Sequence, residues 1–149
     1  MPAPRGKARS VVWELPSGWA DIDPPLDALA AAVPVDQGDG NFVANVQVIA
    51  LPAEGQSLLE IRAAIVREYA ATMRDGRLLD VDDTLLDDYP AVRVLSTHVG
   101  EAGDELTTEL WLTVVQDVQV VLTCTSLTLD YHWHLEAFPE IAESLEIDV

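Results

Sequence analysis

Between residues 78 and 127 four β-rich runs follow one another with only short polar connections, and this pattern limits the fold more than any other feature of the chain. The runs are 78–86, 91–99, 106–115 and 118–127. Asp87, Asp88, Tyr89 and Pro90 form the first turn, Gly100 to Asp104 the second, and Gln116 with Asp117 the third. Loops this short join antiparallel neighbours, because a parallel return needs a crossover of a dozen residues or more. Val92 and Val94, and then Leu110, Leu112 and Val114, alternate with polar positions, so one face of each strand is expected to be buried. The continuously apolar start of 118–127 suits a central strand.

An amphipathic helix is predicted upstream. Ser57 with Glu60 three residues later makes a capping box, Leu58, Ile61, Ile65 and Tyr69 recur at helical spacing, and Gly76 is placed to stop the helix. Residues 41–51 read as a strand and 10–15 as a short one closed by Pro16, Ser17 and Gly18, with Trp19 anchoring that turn. The stretch 21–40 reads mainly as loop, with a short strand at 29–35 as the alternative. Residues 130–145 read as a closing helix carrying Leu135, Phe138, Ile141 and Leu145. Pro139 within it demands a kink, or a short turn over 131–134 before the helix proper. Residues 1–9 read as a disordered arm and 10–149 as one domain. The expected class is α+β: a curved antiparallel sheet of about five to six strands flanked by two main helices.

Charge narrows the partners. Eight basic residues against twenty-six acidic ones give a formal net charge of −18, and Arg5, Lys7 and Arg9 all lie in the first nine residues. Nucleic acid and anionic membrane are discounted as partners, since binding phosphate relies on lysine and arginine replacing counterions. A basic protein or peptide would be attracted, although solubility alone also accounts for such a surface. Cys124 is the one cysteine, which excludes an internal disulfide framework and fits a reducing compartment. The opening residues lack the apolar run of a signal peptide, so a cytoplasmic protein is expected.

Several clusters invite chemistry. His132 and His134, within Asp130-Tyr131-His132-Trp133-His134-Leu135-Glu136, would share a metal ion only in an extended segment; on a helix they diverge, and surface histidines are the plainer reading. Ser96, His98 and Asp104 have the residue types of a hydrolase triad without a nucleophile elbow. Asp80, Asp82, Asp83, Asp87 and Asp88 lack the glycine and glutamate offsets of a calcium loop. Cys124, in an apolar run, reads as an inert thiol. No catalytic residue, cofactor or metal is therefore expected. The tryptophans pose a different question, because aromatic side chains anchor protein interfaces. Trp111, Trp19 and Trp133 are the candidate partner-binding residues. Trp111 must point away from Leu110 and Leu112, either into a groove or beneath a helix.

The order of these elements, and several local words, resemble the PsbP-like superfamily, with LpqN-type lipoproteins and related small bacterial domains of unknown function the nearest members. Leu15-Pro16-Ser17-Gly18-Trp19 resembles the family's opening strand and Pro-x-Gly-Trp turn, and Asn45-Val46 the start of its central strand. Leu86-Asp87-Asp88-Tyr89-Pro90-Ala91-Val92-Arg93 resembles a turn that usually carries glycine where Asp88 stands, and Ile141-Ala142-Glu143-Ser144-Leu145 the end of the last helix. The resemblance implies a curved sheet flanked by helices in a superfamily whose members mostly bind proteins, among them a photosystem subunit, a factor acting on the Ran GTPase and secretion chaperones. It transfers no catalytic residue. A non-catalytic protein-binding module, adaptor or chaperone-like, is thus expected, with a small-ligand or metal protein at His132 and His134 as the alternative and a homodimer scaffold as a third use.

Overall fold

A computed structural model describes residues 10–25, 27–36 and 42–148 of the 149. The arm at 1–9 lies outside the described residues. Along the chain run β1 (Ser10–Val12), β2 (Trp19–Ile22), β3 (Ala28–Pro34), β4 (Asn45–Pro52), α1 (Leu58–Thr72), β5 (Arg77–Leu86), β6 (Tyr89–Val99), β7 (Glu105–Val115) and β8 (Val118–Leu127). A 3-10 helix (Thr128–His134), α2 (Ala137–Ser144) and β9 (Glu146–Asp148) follow.

Among the described residues one antiparallel sheet has seven strands in the order β2-β3-β4-β8-β7-β6-β5, and β1 pairs with β9 in a separate two-stranded ribbon. The sheet is thus one strand larger than the sequence indicates. The addition comes from the stretch read mainly as loop, where β2 pairs with β3 (Trp19 with Pro34) and β3 in turn with β4 (Ala32 with Val46). Alanine has little strand preference of its own, and what holds Ala31 and Ala32 here is burial beside β4, a tertiary effect. The meander lies where expected. Its two tight turns have positive φ at both central residues, 48° and 62° at Asp87 and Asp88 and 49° and 63° at Gln116 and Asp117, the mirror-image geometry that matches strand twist. Asp88 fills the place of a glycine because aspartate tolerates the left-handed region.

Each face of the sheet carries one helix. Leu110, Leu112 and Val114 of β7, with Val121 of β8, pack under Ile61, Leu58 and Ile65 of α1. Ser57 caps α1 in the reciprocal manner: its hydroxyl accepts from the Glu60 amide at 3.1 Å, and the Glu60 carboxylate accepts from the Ser57 amide at 3.1 Å. On the opposite face Trp111, Val120, Leu122, Val46 and Val48 meet Phe138, Ile141 and Leu145 of α2 in the larger core. Pro139 does not kink α2, because it is the third residue, where the backbone N–H has no intrahelical acceptor to lose. The turn allowed for before the helix proper is the 3-10 helix. Ile147 of β9 donates its amide to Asp87 at 2.8 Å, tying the chain's end to the β5–β6 turn. Among the described residues no helix is long and apolar enough to cross a membrane.

Candidate functional site

The 3-10 helix sits on the α2 face of the sheet as a ridge. With three residues per turn, Tyr131 and His134 fall on one side and Leu129, His132 and Leu135 on another. Tyr131 points inward and donates its hydroxyl to Glu109 Oε1 at 3.0 Å. Glu109, at 1% exposure, accepts on Oε2 from Arg93 Nε at 2.6 Å. Arg93 also reaches Asp82 at 3.3 Å and Asp80 at 3.5 Å and lies 6.0 Å from the centre of the Trp111 ring. Register explains the meeting: Arg93 and Trp111 are cross-strand partners and Glu109 is the next residue of β7 on the same face. Burial, and then the neighbouring Glu109 carboxylate, push the Tyr131 hydroxyl up to about 12, so it remains a donor at neutral pH.

His134 supplies the second foot of the ridge. Its ring stacks on Phe138 at 5.0 Å with planes 13° apart, and the Trp19 indole meets both rings edge-on at 5.8 and 6.0 Å. The outer surface is open: Leu129 is 85% and Trp133 74% exposed, Leu135 is also largely exposed, and the exposed polar side chains of Asp130, His132 and Glu136 lie among them. Outside, His132 leans on the Trp133 ring at 4.6 Å. A cavity flanks the ridge on either side. One, of about 350 Å³, lies towards β3 and β4 between Pro34, Phe42, Asp130 and Trp133. The other, of about 420 Å³, lies towards β5 and β6 between Leu85, Arg93, Trp111 and Leu135.

No protein-family model matches the sequence, and no curated protein matches it either. Solved structures do match. Mycobacterium tuberculosis LpqN, described as involved in cell envelope biogenesis, superposes with a TM-score of 0.73 over 99% of this chain and 87% of its own, at 14% identity. Cyanobacterial PsbP from Synechocystis gives 0.59 over 93% and 92% at 12% identity. The fold is PsbP-like. A Pseudomonas aeruginosa protein of unknown function, PA94, is similar at a TM-score of 0.58, covering 88% of this chain and 78% of its own at 13% identity.

On this PsbP-like domain the three candidate tryptophans have different fates. Trp111 is 4% exposed beneath α2, so of its two alternatives the one under a helix holds, and its indole floors a cavity instead of offering a free anchor. Trp19 is half-buried as a support for Phe138 and His134. Trp133 alone of the three is largely exposed. His132 and His134 point to different sides of the ridge, each against its own aromatic ring, and among the described residues no group of three or more histidine, cysteine or acidic side chains is arranged to hold a metal ion. Ser96 Oγ and His98 Nδ1 are buried with no hydrogen-bond partner among the described residues, so the serine and histidine of the triad pattern are not joined. Burial drives the Cys124 thiol well above its ordinary value, with Glu109 adding to the effect, and leaves it inert.

Neither Glu109 nor Arg93 stands out as a site residue from the sequence alone. The signal was present as a glutamate in the middle of the threonines and leucines of 106–115 and one arginine inside the apolar 91–99, but only register shows that they meet.

His134 gives this site a pH dependence. Burial holds its imidazole below the ordinary 6.5; Asp130 pulls the other way and His132 adds to the lowering. The neutral ring is therefore the form the fold favours. Its contribution to stability is complete above about 6.5 and is lost as pH falls from there through the lower folded value. An NMR titration is expected to place the His134 midpoint below 6.5, and His134→Phe is expected to remove part of the acid loss of stability. His98, shifted in the same direction by burial, acts in the same sense.

Proposed function

We propose that the chain is a non-catalytic protein-binding module that holds a partner segment across the 3-10 helix, with Trp133 as the principal anchor and Leu129 and Leu135 beside it. The observation that carries this reading is the contrast between the two sides of one short helix. Tyr131 and His134 are fixed from below, while a tryptophan and two leucines stand in solvent. A rigid aromatic anchor loses little entropy on binding, and covering the exposed part of Trp133 is worth roughly 4 kcal/mol before the costs of association.

Charge favours a basic segment. Two copies of a chain with formal charge −18 repel each other, which weighs against self-association through this face. The closed set of Arg93, Glu109 and Tyr131 offers no nucleophile with an adjacent free base, in keeping with a binding role. The cytoplasmic setting belongs to the same proposal.

Selection of a displayed random-peptide library on the purified protein tests the reading. Selected peptides are expected to combine basic and apolar residues and to bind Trp133→Ser about thirtyfold more weakly, the loss of an interface hot spot, while its stability stays within about 0.5 kcal/mol of the parent. Equal affinity for both proteins would overturn it.

A further inference from the structure

The cavity of about 420 Å³ between β5–β7 and α2 shares Tyr131, Glu109 and Leu135 with the ridge, and Leu85, Trp111, Ala142 and Glu143 add a lining that the ridge does not need. Trp111 floors it, with Leu85, Leu135, Pro139 and Ala142 as its apolar walls. Its cation is already engaged: the Arg93 guanidinium is bound by Glu109, Asp80 and Asp82, and Glu143 stands in the wall with no cation of its own within the cavity lining. Of these four carboxylates Glu109 and Glu143 line the cavity, a formal excess of one negative charge over the single guanidinium, and Asp80 and Asp82 add to the negative potential from just outside the lining. An anion is repelled from such a place, whereas a cation is drawn to it and meets an indole that already lies against a guanidinium at 6.0 Å. The volume falls in the range of small-ligand pockets and exceeds the needs of one side chain.

We propose that this cavity binds a small organic cation, an apolar body ending in a primary ammonium group, with the body against Trp111, Leu85 and Leu135 and the ammonium beside Glu143 and the carboxylates of Arg93. The shared chemistry with a lysine side chain is plain, and the assignment is to the free amine because of the volume. The site shares Leu135 with the protein-binding reading, but that reading's principal anchor, Trp133, does not line it.

The test is an NMR titration of the full chain with n-hexylammonium chloride, following the Trp111 indole N–H and the Leu85 and Leu135 methyl signals, with n-hexanoate at the same concentrations as the anionic control. Saturable shifts with hexylammonium and none with hexanoate are expected. Glu143→Gln in the cavity wall and Asp82→Asn just outside it, both at exposed positions that leave the buried Glu109 in place, are each expected to weaken binding about two- to fivefold. Trp133→Ser is expected to bind the amine as the parent does, so failure here and failure of the ridge reading are told apart. No saturable shift, an equal response to hexanoate, or undiminished binding in both carboxylate variants would overturn the proposal. A stronger response to Nα-acetyllysine methylamide than to hexylammonium would overturn the assignment to a free ligand.

Discussion

Arg93→Ala is expected to destabilise the protein by about 3 kcal/mol, the lower end of the cost of breaking a buried ion pair. The variant leaves the Glu109 carboxylate, whose side chain is 2% exposed, with the Tyr131 hydroxyl as its one remaining hydrogen-bond donor of the pair. Arg93 itself keeps some contact with solvent at 23% exposure, and its links to Asp80 and Asp82 are weak surface pairs, so neither sets the loss. Removing both charges is a different matter. The double variant Arg93→Met with Glu109→Leu is expected to recover most of the deficit, because the pair's attraction only offsets the cost of dehydrating it. Urea denaturation of the parent, the single and the double variant measures this; a loss below about 1 kcal/mol in Arg93→Ala would mean that Glu109 is solvated.

Phe138→Ala is expected to cost about 3–5 kcal/mol. Phe138 is fully buried and is the one ring that Trp19, Tyr131 and His134 all touch. Its loss opens a cavity under α2 and at the same time removes the surface on which His134 stacks, so the ridge loses one of its two feet. Reduced stability and weakened partner binding are therefore expected together, with a changed near-ultraviolet dichroism from Trp19. The contrast is with Trp133→Ser, where binding falls and stability does not. If Phe138→Ala keeps full stability by urea denaturation, α2 is not anchored through this ring.

What the sequence disclosed follows from how local each signal is. The meander β5–β8 and helix α1 rest on neighbours in the chain: alternation along each strand, a capping box within four residues, and aspartates at positions that need positive φ. β2 and β3 rest on position in the sheet, where Ala31 and Ala32 are strand residues because β4 lies beside them. The ribbon of β1 and β9 joins Ser10 to Asp148, a pairing no local pattern announces. At the site the same division holds. The tryptophans stood out as candidates in the sequence, but which of Trp19, Trp111 and Trp133 stays exposed depends on where α2 lands and on three residues per turn between 128 and 134. Glu109 and Arg93 became a pair only through the register of β6 against β7. The two histidines diverge because the segment is a tight helix and not the extended one that a shared ion would require.

Photo-crosslinking from position 133 is the most direct test of the ridge as a contact surface. A benzophenone amino acid replaces Trp133 in the cells that make the protein, and the same residue at exposed Glu101, in the β6–β7 loop, serves as control. A discrete covalent adduct with another protein on irradiation, formed from position 133 and not from 101, is the expected result. No adduct from 133, or the same adducts from both positions, would contradict it.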